Sequence, residues 1–308
     1  MRILLLTPAP KGSLHGNRIT AHRWEGILRS LGHQVVIKES YKSVNCDLLI
    51  ALHARRSALS IRRFRKRHPN TPIIVALTGT DLYKDIKSNP SAKRSLEIAD
   101  RLVTLQPLGT EELQGHLKHK VRPIIQSAQR TPQQSNIEDG CFDIAVVGHL
   151  RPVKDPFRTA RASRLLPSRS TIRVLHIGKA MTERMSALAH KETLENSRYV
   201  WLGELSYQQT RRVMARCQAL ILTSLLEGGA NVISEALSDS IPIIASRIPG
   251  SVGILGDNYP GYFNVRDTKM LSKLLWKIED DHSFLKELHS WVDLLSESVS
   301  LNTETSSW

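Results

Sequence analysis

Short apolar runs bounded by turn residues recur along the chain, and between them apolar residues return every three or four positions. Runs at 2–6, 35–37, 48–51, 73–76, 102–105 and 121–125 are built mainly from Leu, Ile and Val with little alternation. Unbroken apolar character in so short a run predicts a strand covered on both faces, as in a parallel sheet. Helical spacing fills the gaps at 19–31, closed by Gly32, and at 58–67 and 91–99. The alternation predicts a doubly wound α/β unit whose ligands sit at the carboxyl ends of its strands.

The same rhythm resumes after a stretch rich in polar and turn residues. Residues 127–140 hold Pro132, Ser135, Asn136 and several glutamines, and read as a linker. Strand-like runs follow at 142–147, 172–177, 199–202, 219–222 and 241–246. Helices are expected near Pro156, from about Asn231 (Val232, Ile233, Ala236 and Leu237 on one face), and over 269–278 and 284–295. A chain of 308 residues suits two such units. The expected division is 1–138, 139–282 and a C-terminal helix and tail, 283–308.

The strand ends carry the unusual residues. After the first strand comes a long loop with Lys11, Gly16, Asn17 and Arg18; after the third, His53, Arg55 and Arg56; after the fourth, Thr78, Gly79, Thr80 and Asp81. In a parallel sheet these loops converge on one rim. In the second half, strand 142–147 runs into Gly148-His149-Leu150-Arg151-Pro152-Val153-Lys154, where Arg151 and Lys154 can neutralise a phosphate. Strand 219–222 runs into Ser224-Leu225-Leu226-Glu227-Gly228-Gly229-Ala230-Asn231, and a helix carrying Glu235 follows. A glycine turn entering a helix presents backbone N–H groups at its positive end, which suits a diphosphate. Glu227 and Glu235 are suited instead to hydroxyls on either side of it, on a sugar and on a ribose. Trp201 to Ser206 is a candidate edge for a nucleotide base.

Charge narrows the partner. Residues 1–140 contain 23 Lys and Arg against 11 Asp and Glu, +12 of the chain's +14, so the first half is expected to meet an anion. Nucleic acid, an acidic membrane and a small phosphate-like substrate all fit that charge. Aromatic residues are only 5%, and Phe64 within the basic run 62–68 is read as inward-facing, so no aromatics interleave that run as a base-stacking platform. On helix 58–67, Ala58, Ile61 and Phe64 face inward and the arginines spread over a solvated surface. Hydrophobic residues at 41% and charged ones at 23% describe an ordinary globular chain. The apolar run 3–6 stops at Thr7-Pro8, shorter than a signal peptide, and no run approaches a membrane span. Cys46, Cys141 and Cys217 are widely separated, so neither a disulfide framework nor a metal cluster is expected, and a cytoplasmic location is. Phosphate-loop and dinucleotide fingerprints are absent, as is a His-Glu-x-x-His motif.

The strand, Ser224, Glu227, the two glycines and the seven-residue interval to Glu235-Ala236-Leu237 resemble the glutamate pair of retaining glycosyltransferases of the family 4 type. Ile241 to Ser246 followed by Pro249-Gly250 looks like the next strand and turn of that family. The resemblance implies a GT-B fold, two Rossmann-like domains with a tail crossing back to the first, donor in the second domain and acceptor in the first. His149 stands where an arginine is common in that family, and Arg151 is the available substitute. Thr7 to Pro10 with His15 to Arg18, Ala51 to Ser57, and Ala76 to Tyr83 narrow the resemblance to the selenosugar synthases of selenoneine biosynthesis. That resemblance implies transfer of a sugar from UDP-N-acetylglucosamine or UDP-glucose to selenophosphate, with no metal and no further cofactor. It also implies the roles: Gly148, His149, Arg151, Lys154, Glu227 to Asn231 and Glu235 at the donor; Lys11, Gly16, Asn17, Arg18, His53, Arg55, Arg56 and Thr78 to Asp81 at the acceptor. His53, Asn17, Arg18 and Glu227 would lie nearest the chemistry. No nucleic acid and no stable membrane association are expected, and handover of product to a following enzyme is compatible. The competing readings are a transferase of the same fold with another anionic or membrane-bound acceptor, and a nucleic-acid-binding protein.

Overall fold

In the computed structural model, residues 1–132 and 140–308 are described, and they form two compact units. The first comprises Met1–Gln126, Glu227–Gly229 and Leu301–Trp308; the second comprises Ser127–Leu226 and Ala230–Ser300. The expected boundary at 138/139 and half of the expected linker lie outside the described residues. The C-terminal stretch divides between the units, with 283–300 in the second and Leu301–Trp308 in the first.

The first unit is a six-stranded parallel sheet ordered β2-β1-β3-β4-β5-β6. Its strands are β1 (Arg2–Leu6), β2 (Gln34–Lys38), β3 (Leu48–Leu52), β4 (Ile73–Leu77), β5 (Arg101–Thr104) and β6 (Val121–Pro123). Helices α1 (Gly16–Ser30), α2 (Ala58–Arg67), α3 (Ile86–Ser88), α4 (Pro90–Ile98) and the C-terminal α12 (Leu301–Ser307) complete it. Successive residues of a strand face opposite sides, so an all-apolar strand feeds two cores at once. Leu4, Leu6, Leu49 and Ala51 join Ile61 and Phe64 of α2 and Leu96 of α4. Ile3, Leu5, Ile50 and Leu52 join Ala21, Trp24, Ile27 and Leu28 of α1. On that second side Trp24 donates to Glu304 Oε1 at 2.8 Å and meets Trp308 edge-on, anchoring α12.

The basic helix α2 is only partly a solvated face. Arg62, Arg63, Lys66 and Arg67 are exposed. Arg65 departs from the expectation, because its guanidinium donates to the carbonyls of Pro69, Thr71 and Ile98 and pairs with Asp100. Those carbonyls follow the helix or close the neighbouring one, so Arg65 ties α2 to the turns around it.

The second unit is a six-stranded parallel sheet ordered β12-β11-β10-β7-β8-β9. Its strands are β7 (Phe142–Val147), β8 (Ile172–Ile177), β9 (Tyr199–Gly203), β10 (Ala219–Leu222), β11 (Ile243–Ser246) and β12 (Tyr262–Phe263). The helices are α5 (Arg158–Ser163), α6 (Glu183–Glu195), α7 (Tyr207–Met214), α8 (Asn231–Ser238), α9 (Pro249–Leu255), α10 (Thr268–Asp280) and α11 (His282–Leu295). Ser206 and Gln209 form a reciprocal capping box that starts α7. Strand order reverses between β1 and β3 in the first unit and between β7 and β10 in the second. Loops diverge there, opening a crevice at the strand ends where ligands of such sheets bind. No helix of the described residues is long and apolar enough to cross a membrane.

Candidate functional site

At the first switch point the β1 loop closes on the start of α1. Thr7 is buried, donates through its hydroxyl to the carbonyl of Asn17 and accepts from the backbone N–H of Ala9. Lys11 lies on the exposed part of this loop, its backbone N–H donating to Glu39. Helix α1 begins at Gly16 without a side-chain cap from His15 and without an acidic residue in its first turn. The Arg18 N–H donates to the His15 carbonyl, and no acidic side chain of that turn meets the positive end of the helix dipole. Arg18 follows in that first turn, 6% exposed, with Nε and Nη1 buried and without a hydrogen-bond partner among the described residues. Helical side chains lean toward the N-terminus, so this cation lies over the same turn.

The β3 and β4 loops are tied together by one carboxylate. Asp81 is fully buried; Oδ2 accepts from the N–H of Ala54 at 2.9 Å, and Oδ1 from those of Thr78 and Gly79 at 3.0 Å each. His53, 3% exposed, takes a left-handed φ of 70°, a conformation that side chains with a Cβ adopt under constraint. That constraint is visible: its N–H donates to Ala76 O and its carbonyl accepts from Ser57 N. The Arg56 N–H donates to His53 Nδ1 at 3.4 Å, which puts the proton of the neutral ring on Nε2, 3.4 Å from Thr80 Oγ1. Burial holds this imidazole below the usual histidine range. Arg55 is turned to Asp85, with Nε 3.0 Å from Oδ2, while Arg56 is exposed.

Glu227, Gly228 and Gly229 group with this first unit. A Cβ on Gly228 would lie 2.7 Å from Gly79 N, and one on Gly229 2.6 Å from Leu105 Cβ. The two glycines are there because the turn presses against the ends of β4 and β5. Gln126 reaches the same turn, 3.5 Å from the Gly229 carbonyl.

In the second unit the loops after β7 and β10 are stitched side by side. Leu225 N donates to Val153 O at 2.9 Å, and the Thr223 hydroxyl lies 2.9 Å from Lys154 O and 3.1 Å from Asp155 O. A small cavity under this junction is lined by Gly148, Lys154, His176, Thr223 and Ser224. The Lys154 side chain runs alongside Gly148, and His149 Nδ1 accepts from Lys179 N. Arg151 is exposed on the same loop. Asn231 opens α8, and Glu235 on its second turn is 5% exposed.

His176, the penultimate residue of β8, belongs to none of the loop motifs of the sequence. It is 1% exposed, with Nε2 3.4 Å from Gly148 O and Nδ1 2.7 Å from the Tyr199 hydroxyl. The carbonyl only accepts, so Nε2 donates and Nδ1 receives the Tyr199 O–H. Burial lowers its pKa to about 4, keeping it neutral. Gly178 allows the same loop to pass, since a Cβ there would collide with Gly148 O. Thr7 and Thr223 share one sequence signal, a polar residue just past the end of an apolar strand, whereas His176 lies inside β8, before Ile177. Among the described residues no group of three or more His, Cys, Asp or Glu could hold a metal ion, and all three cysteines are free thiols.

With this geometry in view, the known proteins it resembles are informative. The "Glycosyltransferase 1 domain-containing protein 1" of Xenopus tropicalis is 24% identical over 312 residues, covering 90% of each chain. The Anabaena protein HepE, solved with UDP-glucose, superposes with a TM-score of 0.80 at 14% identity, covering 99% of this chain and 97% of that one. The S. aureus protein TarM, solved with UDP among other ligands, gives 0.67 at 12% identity, and this chain spans only 54% of it while 85% of this chain is covered. These superpositions bear on the fold, two parallel sheets with flanking helices as in GT-B proteins. The family model described as "Glycosyl transferases group 1" matches residues 127–292, more than half of the sequence. The chain belongs to the group 1 family of glycosyl transferases.

Proposed function

We propose that this protein transfers a sugar from UDP-N-acetylglucosamine or UDP-glucose to selenophosphate, the acceptor implied by the sequence resemblance. The selenium attacks the anomeric carbon as the bond to the UDP oxygen breaks. Hydrolysis of the Se–P bond then gives the selenosugar and phosphate. Glycosyl transfer builds negative charge on the departing diphosphate. Arg151, Lys154 and the amides around Gly228 to Asn231 are assigned to that charge, with Gly148 and His149 shaping the loop. Glu227 is assigned to sugar hydroxyls and Glu235 to the ribose. On the acceptor side Gly16, Asn17 and Arg18 are assigned to the oxyanion, with Thr78, Gly79 and Thr80 beside them. Arg56 supplies further positive charge there, as does Lys11. Selenophosphate is an ionised nucleophile and needs no strong base. His53, carrying its proton on Nε2, is assigned as a hydrogen-bond donor.

The observation that carries the anionic acceptor is Arg18, a buried cation with two unpartnered nitrogens over an uncapped helix start. A buried charge is costly unless an opposite charge meets it, and a phosphate-bearing acceptor does so. This reading goes with a cytoplasmic enzyme, where UDP-sugars are made. The test is UDP release from several UDP-sugars with selenophosphate, with inorganic phosphate and alone, with product mass followed by spectrometry. Selenophosphate-dependent UDP release with a selenium-containing sugar supports the reading. Equal release under all three conditions overturns the acceptor and leaves another acceptor to be sought.

A further inference from the structure

A tyrosine and a glutamine at the ends of β4 and β5 have no place in the roles above. Tyr83 lies in a π-turn, Asp81–Asp85, that the buried Asp81 starts, and its N–H donates to Gly79 O. Single π-turns recur at functional sites. Gln106 follows β5 and is fully buried. Its Nε2 donates to the Tyr83 hydroxyl oxygen at 2.9 Å, while its Oε1 is buried and has no partner among the described residues. With its oxygen engaged by Gln106, the half-buried Tyr83 hydroxyl keeps its own hydrogen, and no acceptor for it is found among the described residues. The backbone places this hydroxyl near the glutamate that opens the glycine turn: Gly228 packs on Thr78 and Gly79, Gly229 on Leu105, and Glu227 acts electrostatically on Tyr83.

We propose that Tyr83 donates its phenolic hydrogen to a neutral hydroxyl of the sugar carried by the nucleotide donor, with Gln106 holding the phenol oxygen so that the hydrogen stays available. This rests on the functional reading above and adds a sugar-selecting residue to it. The local charge decides the ligand's character. Glu227 and Glu112 both act on Tyr83 as negative charges, which disfavours an anionic oxygen here and leaves a hydroxyl as the fitting acceptor. Burial first, then those carboxylates, push the phenol up to about 12, so it remains a donor throughout the physiological range. Gln106 is the positioning residue because its amide must present N–H, and not oxygen, to the phenol.

Calorimetric titrations of UDP, UDP-glucose and the 2-, 3-, 4- and 6-deoxy forms of UDP-glucose test this on wild type, Tyr83→Phe and Gln106→Glu. Tyr83→Phe is expected to weaken UDP-glucose by about 3- to 10-fold, the worth of one neutral hydrogen bond, and to leave UDP unchanged. One deoxy donor should bind wild type and Tyr83→Phe alike, identifying the hydroxyl. Gln106→Glu offers only acceptors, captures the phenolic hydrogen and should match Tyr83→Phe. The proposal is overturned if Tyr83→Phe binds UDP-glucose as tightly as wild type, or loses UDP equally. It is also overturned if Gln106→Glu leaves UDP-glucose affinity intact, since the amide oxygen would then already face the phenol. A wild type that binds neither UDP nor UDP-glucose removes the functional reading itself, and this inference with it.

Discussion

Nδ1 of His53 lies 3.8 Å from Oδ2 of Asp81, beyond hydrogen-bonding distance, because the carboxylate is already committed to three backbone amides. Asp81 therefore holds the histidine's loop through the backbone, at Ala54 directly after the left-handed residue, and ties it to Thr78 and Gly79 of the β4 loop, while its charge favours the protonated ring against burial. Asp81→Asn puts an NH₂ group against at least one of those N–H donors. A buried donor left unmatched costs about 1–3 kcal/mol, and a lost charged hydrogen bond about as much. Urea unfolding should show a loss on the order of 2–4 kcal/mol. An unchanged unfolding midpoint would show that the three amides do not depend on the charge.

His176 makes a prediction about pH. Its folded value of about 4 is below the ordinary 6.5, so the unfolded chain binds the proton more readily. Its contribution is full above pH 6.5 and is lost as pH falls from 6.5 toward 4. About 2.5 units at 1.36 kcal/mol each corresponds to roughly 3 kcal/mol. His53 is lowered too and acts in the same direction. The measurement is the difference in unfolding free energy between wild type and His176→Gln over pH 4–8. That difference should shrink as pH falls, and a constant difference would sink the assignment.

Gly228 is a steric requirement, and the test is a pair of alanines. Gly228→Ala places a methyl group 2.7 Å from Gly79 N and Thr78 C, both backbone atoms that cannot swing aside. Gly26→Ala, in helix α1, meets nothing within 4 Å and has an ordinary helical φ. Overpacking costs about 1–3 kcal/mol, whereas glycine to alanine in a helix gains up to about 1 kcal/mol. Thermal unfolding should move in opposite directions for the two variants, and equal shifts would contradict the packing.

The doubly wound architecture was legible because its central strands, such as β1, β3, β4, β10 and β11, are buried on both faces. Ile3 to Leu6 alternate between two cores, so the run carries no polar position to blur it. The glycine turn was legible for a related reason: no other residue type fits between Gly79 and Leu105. Less visible were residues whose meaning depends on distant partners. Asp81 reads as a loop acid until Ala54, Thr78 and Gly79 close on it, and Arg65 reads as one more surface cation until Ile98 and Asp100, 33 and 35 residues away, join the turn carbonyls around it. His176 was hidden inside an apolar strand, where period-two patterning assigns a face but no hydrogen bond. Gln106 and Tyr83 lie 23 residues apart and share no motif.

The last prediction separates a specific oxyanion site from diffuse positive charge. Both explanations use the excess of cations in the first half, but they name different residues. Arg18 is buried over the α1 start and has unpartnered nitrogens, whereas Arg62, Arg63 and Lys66 are exposed on α2. Exposed charges interact weakly across water at physiological ionic strength, so Arg62→Gln/Arg63→Gln/Lys66→Gln should change turnover less than about 3-fold. Arg18→Gln removes the cation and keeps hydrogen-bonding capacity. It should lower kcat/KM for selenophosphate by at least about 10-fold, the minimum for a charged hydrogen bond, with UDP affinity unchanged. Arg65 is kept out of the exposed set, since its loss would unfold the turns it holds and mimic a functional effect. Run at one salt concentration, equal losses from the two sets would mean diffuse electrostatics. Full activity in Arg18→Gln would remove the oxyanion site from the first unit altogether.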